Sequence, residues 1–142
     1  MRCKKLISFM VIALLVFAFA GCGSDSQSGK SDEPKVKTIT MDAFKTEIKN
    51  LGIEATEEET LYEMVGATSG YKLSADGKTL ELYGFDKDAD AYKKAEKEGS
   101  LYMESLNTSI EENVTVKNGY AIILPKDFPQ YDAIMALFER LE

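Results

Sequence analysis

Two dipeptides, Asp76-Gly77 and Asn118-Gly119, constrain this chain more than any other feature. Both tolerate the positive φ angles of a two-residue type I′ turn, so each fixes where two strands meet. A turn at the first pairs Ala75 with Lys78, Leu73 with Leu80 and Tyr71 with Leu82 on one side, and Ser74 with Thr79 and Lys72 with Glu81 on the other. Apolar side chains meet apolar ones and the ion pair falls opposite itself, so the apolar side is expected to face the core. A turn at the second pairs Val116 with Ala121 and Val114 with Ile123, with Thr115 against Ile122 and Lys117 against Tyr120 on the reverse side. Tyr120 to Leu124 is apolar without alternation, which suits a strand covered on both faces or central in the sheet. Pro125 ends it, because proline cannot donate to the ladder.

Helical patterns surround the hairpins. Phe44, Ile48 and Leu51 recur at helical spacing, Thr40 can cap the first turn and Gly52 supplies a left-handed stop, which predicts a helix over 41–51. Thr56 to Glu59 has capping-box spacing ahead of Leu61, Met64 and Val65, which predicts a short helix broken by Gly66, Ser69 and Gly70. After the first hairpin, Asp88 or Asp90 can cap a helix that ends at Glu98-Gly99, and the apolar pattern resumes through Leu101, Met103 and Leu106. After the second, Asp127 and Gln130 have capping-box spacing and Pro129 suits a first turn. Tyr131, Ile134, Met135, Phe138 and Leu141 then make a broad apolar stripe. The order implies an α+β fold, an antiparallel sheet from two β-hairpins with about three helices packed largely on one face. Tyr83 and Phe85 project to the other face, which is either a contact surface or covered by a second layer. The turns lie 42 positions apart, from 76 to 118, a spacing that a duplication or shared turn chemistry would produce equally.

The start of the chain follows a different logic. Arg2, Lys4 and Lys5 precede an uncharged apolar run from Leu6 to Ala20, and Phe19-Ala20-Gly21 leads directly into Cys22. This layout resembles the signal peptide of a bacterial lipoprotein, and the chain as a whole is similar to small uncharacterised lipoproteins of Gram-positive bacteria. The resemblance implies that residues 1–21 are a signal peptide, that cleavage falls before Cys22, and that a diacylglycerol is attached to the Cys22 thiol. The apolar run is shorter than the roughly 20 residues a spanning helix needs, and two acyl chains are the number expected for stable anchoring. The expected location is the extracytoplasmic face of the cell membrane. Residues 22–37, rich in Ser, Asp, Gly and Lys, read as a flexible tether, and residues 38–142 as a single α+β domain.

Composition narrows the functional classes. Three of the 17 cations precede Cys22, so the mature part carries 14 against all 24 acids, a formal charge of −10. That argues against nucleic acid as a partner and assigns the membrane contact to the lipid on Cys22. With Cys3 in the leader and Cys22 acylated, no thiol is left for a disulfide. The chain contains no histidine, which removes the usual general base and the commonest transition-metal ligand.

The remaining candidates are acidic or aromatic. Asp86, Asp88 and Asp90 have the spacing of a calcium loop's first ligands, yet Ala91 and Lys97 stand where its Gly and bidentate Glu belong. The aspartates therefore read as helix-start residues, and neither metal nor cofactor is expected. Glu57, Glu58 and Glu59 read as a solvated face rather than a source of a catalytic acid. Among Tyr62, Tyr71, Tyr83, Tyr92, Tyr102, Tyr120 and Tyr131, an exposed cluster would make a contact patch. The sequence thus points to a non-catalytic binding or interaction role with an envelope protein partner. A small hydrolase using carboxylates, or an accessory regulator or inhibitor of a membrane partner, stands as the alternative. Cys22→Ala is expected to leave an uncleaved precursor without lipid label, and normal labelling of that variant would refute the lipid assignment.

Overall fold

The computed structural model describes residues 37–142. The leader, Cys22 and most of the tether lie outside the described residues. Asp76 and Gly77 both take positive φ, 50° and 73°, and join β2 (Ser69–Ala75) to β3 (Lys78–Gly84). Leu73 lies opposite Leu80 and Lys72 opposite Glu81, the register the turn demands. Asn118 and Gly119, at 54° and 88°, likewise join β6 (Val114–Lys117) to β7 (Tyr120–Ile123), with Val116 opposite Ala121. The hairpins combine because β3 pairs antiparallel with β7, from Glu81 opposite Ile123 to Gly84 opposite Tyr120. A short strand β1 (Thr56–Glu58) adds outside β2, giving the order β1-β2-β3-β7-β6.

Strand alternation sorts the apolar side chains onto two faces. Tyr71, Leu73, Leu80, Leu82 and Ile122 point to one, where Phe44 and Ile48 of α1 (Met41–Asn50) and Ile134 and Phe138 of α3 (Tyr131–Phe138) cover them. Tyr83, Phe85 and Ala121 point to the other. There they meet Tyr92 and Ala95 of α2 (Asp90–Glu98), Val65 of a 3₁₀ turn at Tyr62–Val65, and Leu101 of β4 (Leu101–Met103). β4 pairs with β5 (Thr108–Ile110) as a separate two-stranded sheet. The fold is α+β, with two helices on one face and the third on the other. The face of Tyr83 and Phe85 is thus covered by a second layer. The helices after the two hairpins lie on opposite faces, whereas a twofold repeat about an axis normal to the sheet would put both on one.

Several local expectations are corrected. Thr56 to Glu58 is an edge strand, because Thr56 pairs with Ser74 and Glu58 with Lys72, so these residues cap no helix; the short helix expected behind them is present as the 3₁₀ turn at Tyr62–Val65, ended at Gly66. After Gly99 (φ 66°) ends α2, Leu101 and Met103 continue as a strand, as their spacing of two permits, and not as resumed helix. Neither Asp88 nor Asp90 caps α2, whose N-cap is Ala89; instead the Asp86 carboxylate accepts the Asp88 N–H at 2.9 Å in an Asx turn. Gln130 has φ 58° and precedes α3, so the Asp127 to Gln130 pattern is not a capping box, and Asp127 faces Lys78 at 3.6 Å. Thr40 does cap α1, accepting the Ala43 N–H at 3.3 Å.

The second layer is fastened to the Asn118-Gly119 turn. The Gly119 N–H donates to the buried Tyr92 hydroxyl at 2.9 Å, which in turn donates to Glu96 at 2.9 Å. A β-branched residue at 119 meets both the strained φ and the Lys87 side chain, whose Cε lies 2.9 Å from where a Cβ would stand. Gly119→Val should lower unfolding free energy by about 1–3 kcal/mol. An unchanged denaturant midpoint would contradict this account of the turn.

Candidate functional site

The second layer consists of short pieces, and it leaves a groove of about 580 Å³ on the α2 side of the sheet. Met64 and Val65 of the 3₁₀ turn, Ala91 and Ala95 of α2, and Leu101 of β4 supply its apolar lining. Each wall contributes one carboxylate to that lining: Glu63 from the 3₁₀ turn, Asp90 from the first turn of α2, and Glu104 from a second 3₁₀ turn at Glu104–Leu106. The ammonium of Lys94 lies 3.6 Å from the centre of the Tyr102 ring, within range of a cation–π contact. The Tyr102 hydroxyl donates to the Asn107 side chain at 2.6 Å, which fixes the ring at the groove wall.

Two glycines set the position of the first 3₁₀ turn. Gly66 takes φ 72°, and a Cβ there would stand 2.7 Å from the Ala91 Cβ. At Gly70 a Cβ would stand 2.1 Å from Thr60 Oγ1 and 2.8 Å from Tyr62 Cβ. The turn therefore approaches α2 at one end and β2 at the other as only glycine permits. Gly66 also ends the 3₁₀ turn, the breaking role its position predicts, while the close approach at both glycines appears only once the partners are known.

Met64 and Val65 also line a smaller lobe of about 370 Å³, together with Leu61, Met103 and Ile110. Its polar side is a cross-strand ladder. Lys72 lies 3.2 Å from Glu58 and 3.9 Å from Glu81, and the Tyr83 hydroxyl donates to the Glu81 carboxylate. Hydrogen bonding to Ser74, and then to Lys72, holds the Glu58 carboxyl below its usual range. Burial, reinforced by Glu81, pushes the Tyr83 phenol upward.

Leu61 and Leu106 are 70% and 60% exposed, the large apolar side chains most open to water among the described residues. Leu61 lines the smaller lobe, and Leu106 ends the 3₁₀ turn whose Glu104 and Ser105 line the larger one. The apolar contact surface is thus built from leucines and methionines. The seven tyrosines form no exposed cluster, since Tyr71, Tyr83 and Tyr92 are buried and Tyr62, Tyr102, Tyr120 and Tyr131 half-buried. The sequence pattern assigns Leu61 and Leu106 to apolar helical stripes, which implies burial, whereas both stand exposed.

The acidic candidates fall apart in space. Of the three aspartates only Asp90 lines the main groove, and among the described residues no group of three or more His, Cys, Asp or Glu could hold a metal ion. Glu57 and Glu58 stand on edge strand β1, where Glu57 faces Lys49 at 3.6 Å. No known protein family, curated protein or solved structure gives a significant match to this chain.

Burial raises the phenols of Tyr71, Tyr83 and Tyr92 above their ordinary value of 10.0. Below that value all three are protonated in both folded and unfolded chains, and their contribution to stability does not vary. Above it the unfolded chain binds fewer protons than the folded one, so stability falls as pH rises. Melting temperature should therefore decline above about pH 10, and Tyr83→Phe should flatten that decline. An equally steep decline in the variant would contradict the burial of Tyr83.

Proposed function

We propose that this chain is a lipid-anchored protein of the extracytoplasmic face of the cell membrane. Its domain holds an envelope protein partner in the groove without catalysing a reaction. The observation that carries the binding role is the groove itself, about 580 Å³ with an apolar floor; exposed Leu61 lines the smaller lobe and exposed Leu106 follows Ser105 of the groove lining in sequence. The groove's volume falls in the range of ligand clefts, which is room for a few side chains of a partner.

The anchoring rests on the Cys22 leader, and the acidity of the mature part assigns membrane contact to acyl chains rather than to the domain's surface. The chain enters the domain on the other side of the sheet, where Ile39 packs against the cluster covered by α1 and α3. The chain's entry and the groove therefore lie on opposite faces. The floor of the groove, from Met64, Val65, Ala91, Ala95 and Leu101, is apolar, which favours holding the apolar side chains of a partner.

A photoreactive residue placed at Leu61 or Leu106 in the anchored chain should give crosslinked adducts on illumination of intact cells. The same residue at exposed Asp132, on α3, should not. Adducts of equal yield from all three positions, or from Asp132 alone, would contradict a partner seated in the groove.

A further inference from the structure

We infer that the groove takes a basic amphipathic segment of a partner protein, one that places Lys or Arg beside apolar side chains. This rests on the binding reading above and names the chemistry of the occupant. Met64 and Val65 line both lobes, so apolar side chains of a bound segment meet the same two residues from either one. Around the larger lobe stand three carboxylates, Glu63, Asp90 and Glu104, against one cation, Lys94. A cationic segment relieves that surplus of like charge as it docks, whereas an acidic one adds to it.

The Tyr102 ring supplies a second, separate indication. Its face already receives an ammonium, that of Lys94 at 3.6 Å, and its orientation is held by the hydroxyl bond to Asn107. The ring is therefore a seat for a cation at the wall of the groove, occupied by the domain's own lysine. An incoming Lys or Arg competes with Lys94 for that seat. Removing the Lys94 charge should thus strengthen binding, a result that simple loss of a surface side chain does not give.

The test uses the mature chain, residues 22–142, with Cys22→Ser so that no acyl chain competes for the groove. Three synthetic peptides share their leucines and carry lysine, glutamine or glutamate at the other positions. Fluorescence anisotropy at low salt should rank the lysine peptide about tenfold tighter than the glutamine one and the glutamate one weakest, with the gaps shrinking as salt is added. Glu63→Gln with Asp90→Asn should weaken the lysine peptide by about tenfold, and Lys94→Gln should tighten it by about threefold. Ser105→Trp, which fills the lip of the groove, should weaken all peptides that bind. Equal affinity for the three peptides, lost in Ser105→Trp, would overturn the cation inference and leave the groove as a binding site. Binding of the lysine peptide that is indifferent to every substitution would overturn the inference by placing the peptide elsewhere. Failure of all three to bind would overturn the inference and the binding reading together.

Discussion

The antiparallel pairing of β3 with β7 turns two local hairpins into one sheet and loads both of its faces with apolar side chains at once. Leu80, Leu82 and Ile122 point one way, Tyr83, Phe85 and Ala121 the other. Burying each large side chain contributes about 1.5–3 kcal/mol, so neither face can be left to water. Two covering layers follow from that requirement. On one side the cover is two helices, α1 of ten residues and α3 of eight, which bring Phe44, Ile48, Ile134 and Phe138 onto the sheet. On the other the cover is assembled from a nine-residue helix, two 3₁₀ turns and two three-residue strands. Pieces that short meet at many ends, and the groove lies where those ends meet.

What could be read from the sequence was local. Asp76-Gly77 and Asn118-Gly119 fix their registers because a two-residue turn admits few alternatives, and the structure adopts both in full. The pairing of β3 with β7 is not local, and nothing near Tyr83 says whether a layer covers it. Thr56 to Glu59 shows how two structures share one composition, since the side chains that make a capping box also suit a charged edge strand. Leu101 and Met103 satisfy a strand as well as a helix, and the aspartate that does bond locally is Asp86, which accepts the Asp88 N–H ahead of α2, while neither Asp88 nor Asp90 caps that helix. The site was least legible of all. It depends on Gly66 standing against Ala91 and Gly70 against Thr60 and Tyr62, approaches between segments distant along the chain.

The two ends of the domain meet on the side away from the groove. Ile39 and Leu141 form a parallel bridge, with the Ile39 N–H donating to the Arg140 carbonyl at 2.8 Å and the Arg140 guanidinium to the Lys37 carbonyl at 3.0 Å. Asn118, in the turn of the second hairpin, donates to the Leu141 carbonyl at 3.0 Å. The point at which the chain enters the domain is therefore bonded to the last residues and, through them, to the sheet. Such a clasp suits a domain held by its N-terminal side. On the proposed reading, load along the tether reaches the sheet before it reaches the short pieces around the groove.

The four methionines among the described residues divide evenly between the layers, which makes their methyl groups a direct readout of where a ligand sits. Met64 and Met103 line the groove and its smaller lobe, while Met41 and Met135 pack against the opposite cluster. The measurement is a titration of the methyl-¹³C-methionine mature chain with octylammonium, an apolar body with a cationic head, followed by NMR. The account predicts saturable shifts of Met64 and Met103 with Met41 and Met135 unmoved. Shifts of equal size at all four, or confined to Met41 and Met135, would contradict it.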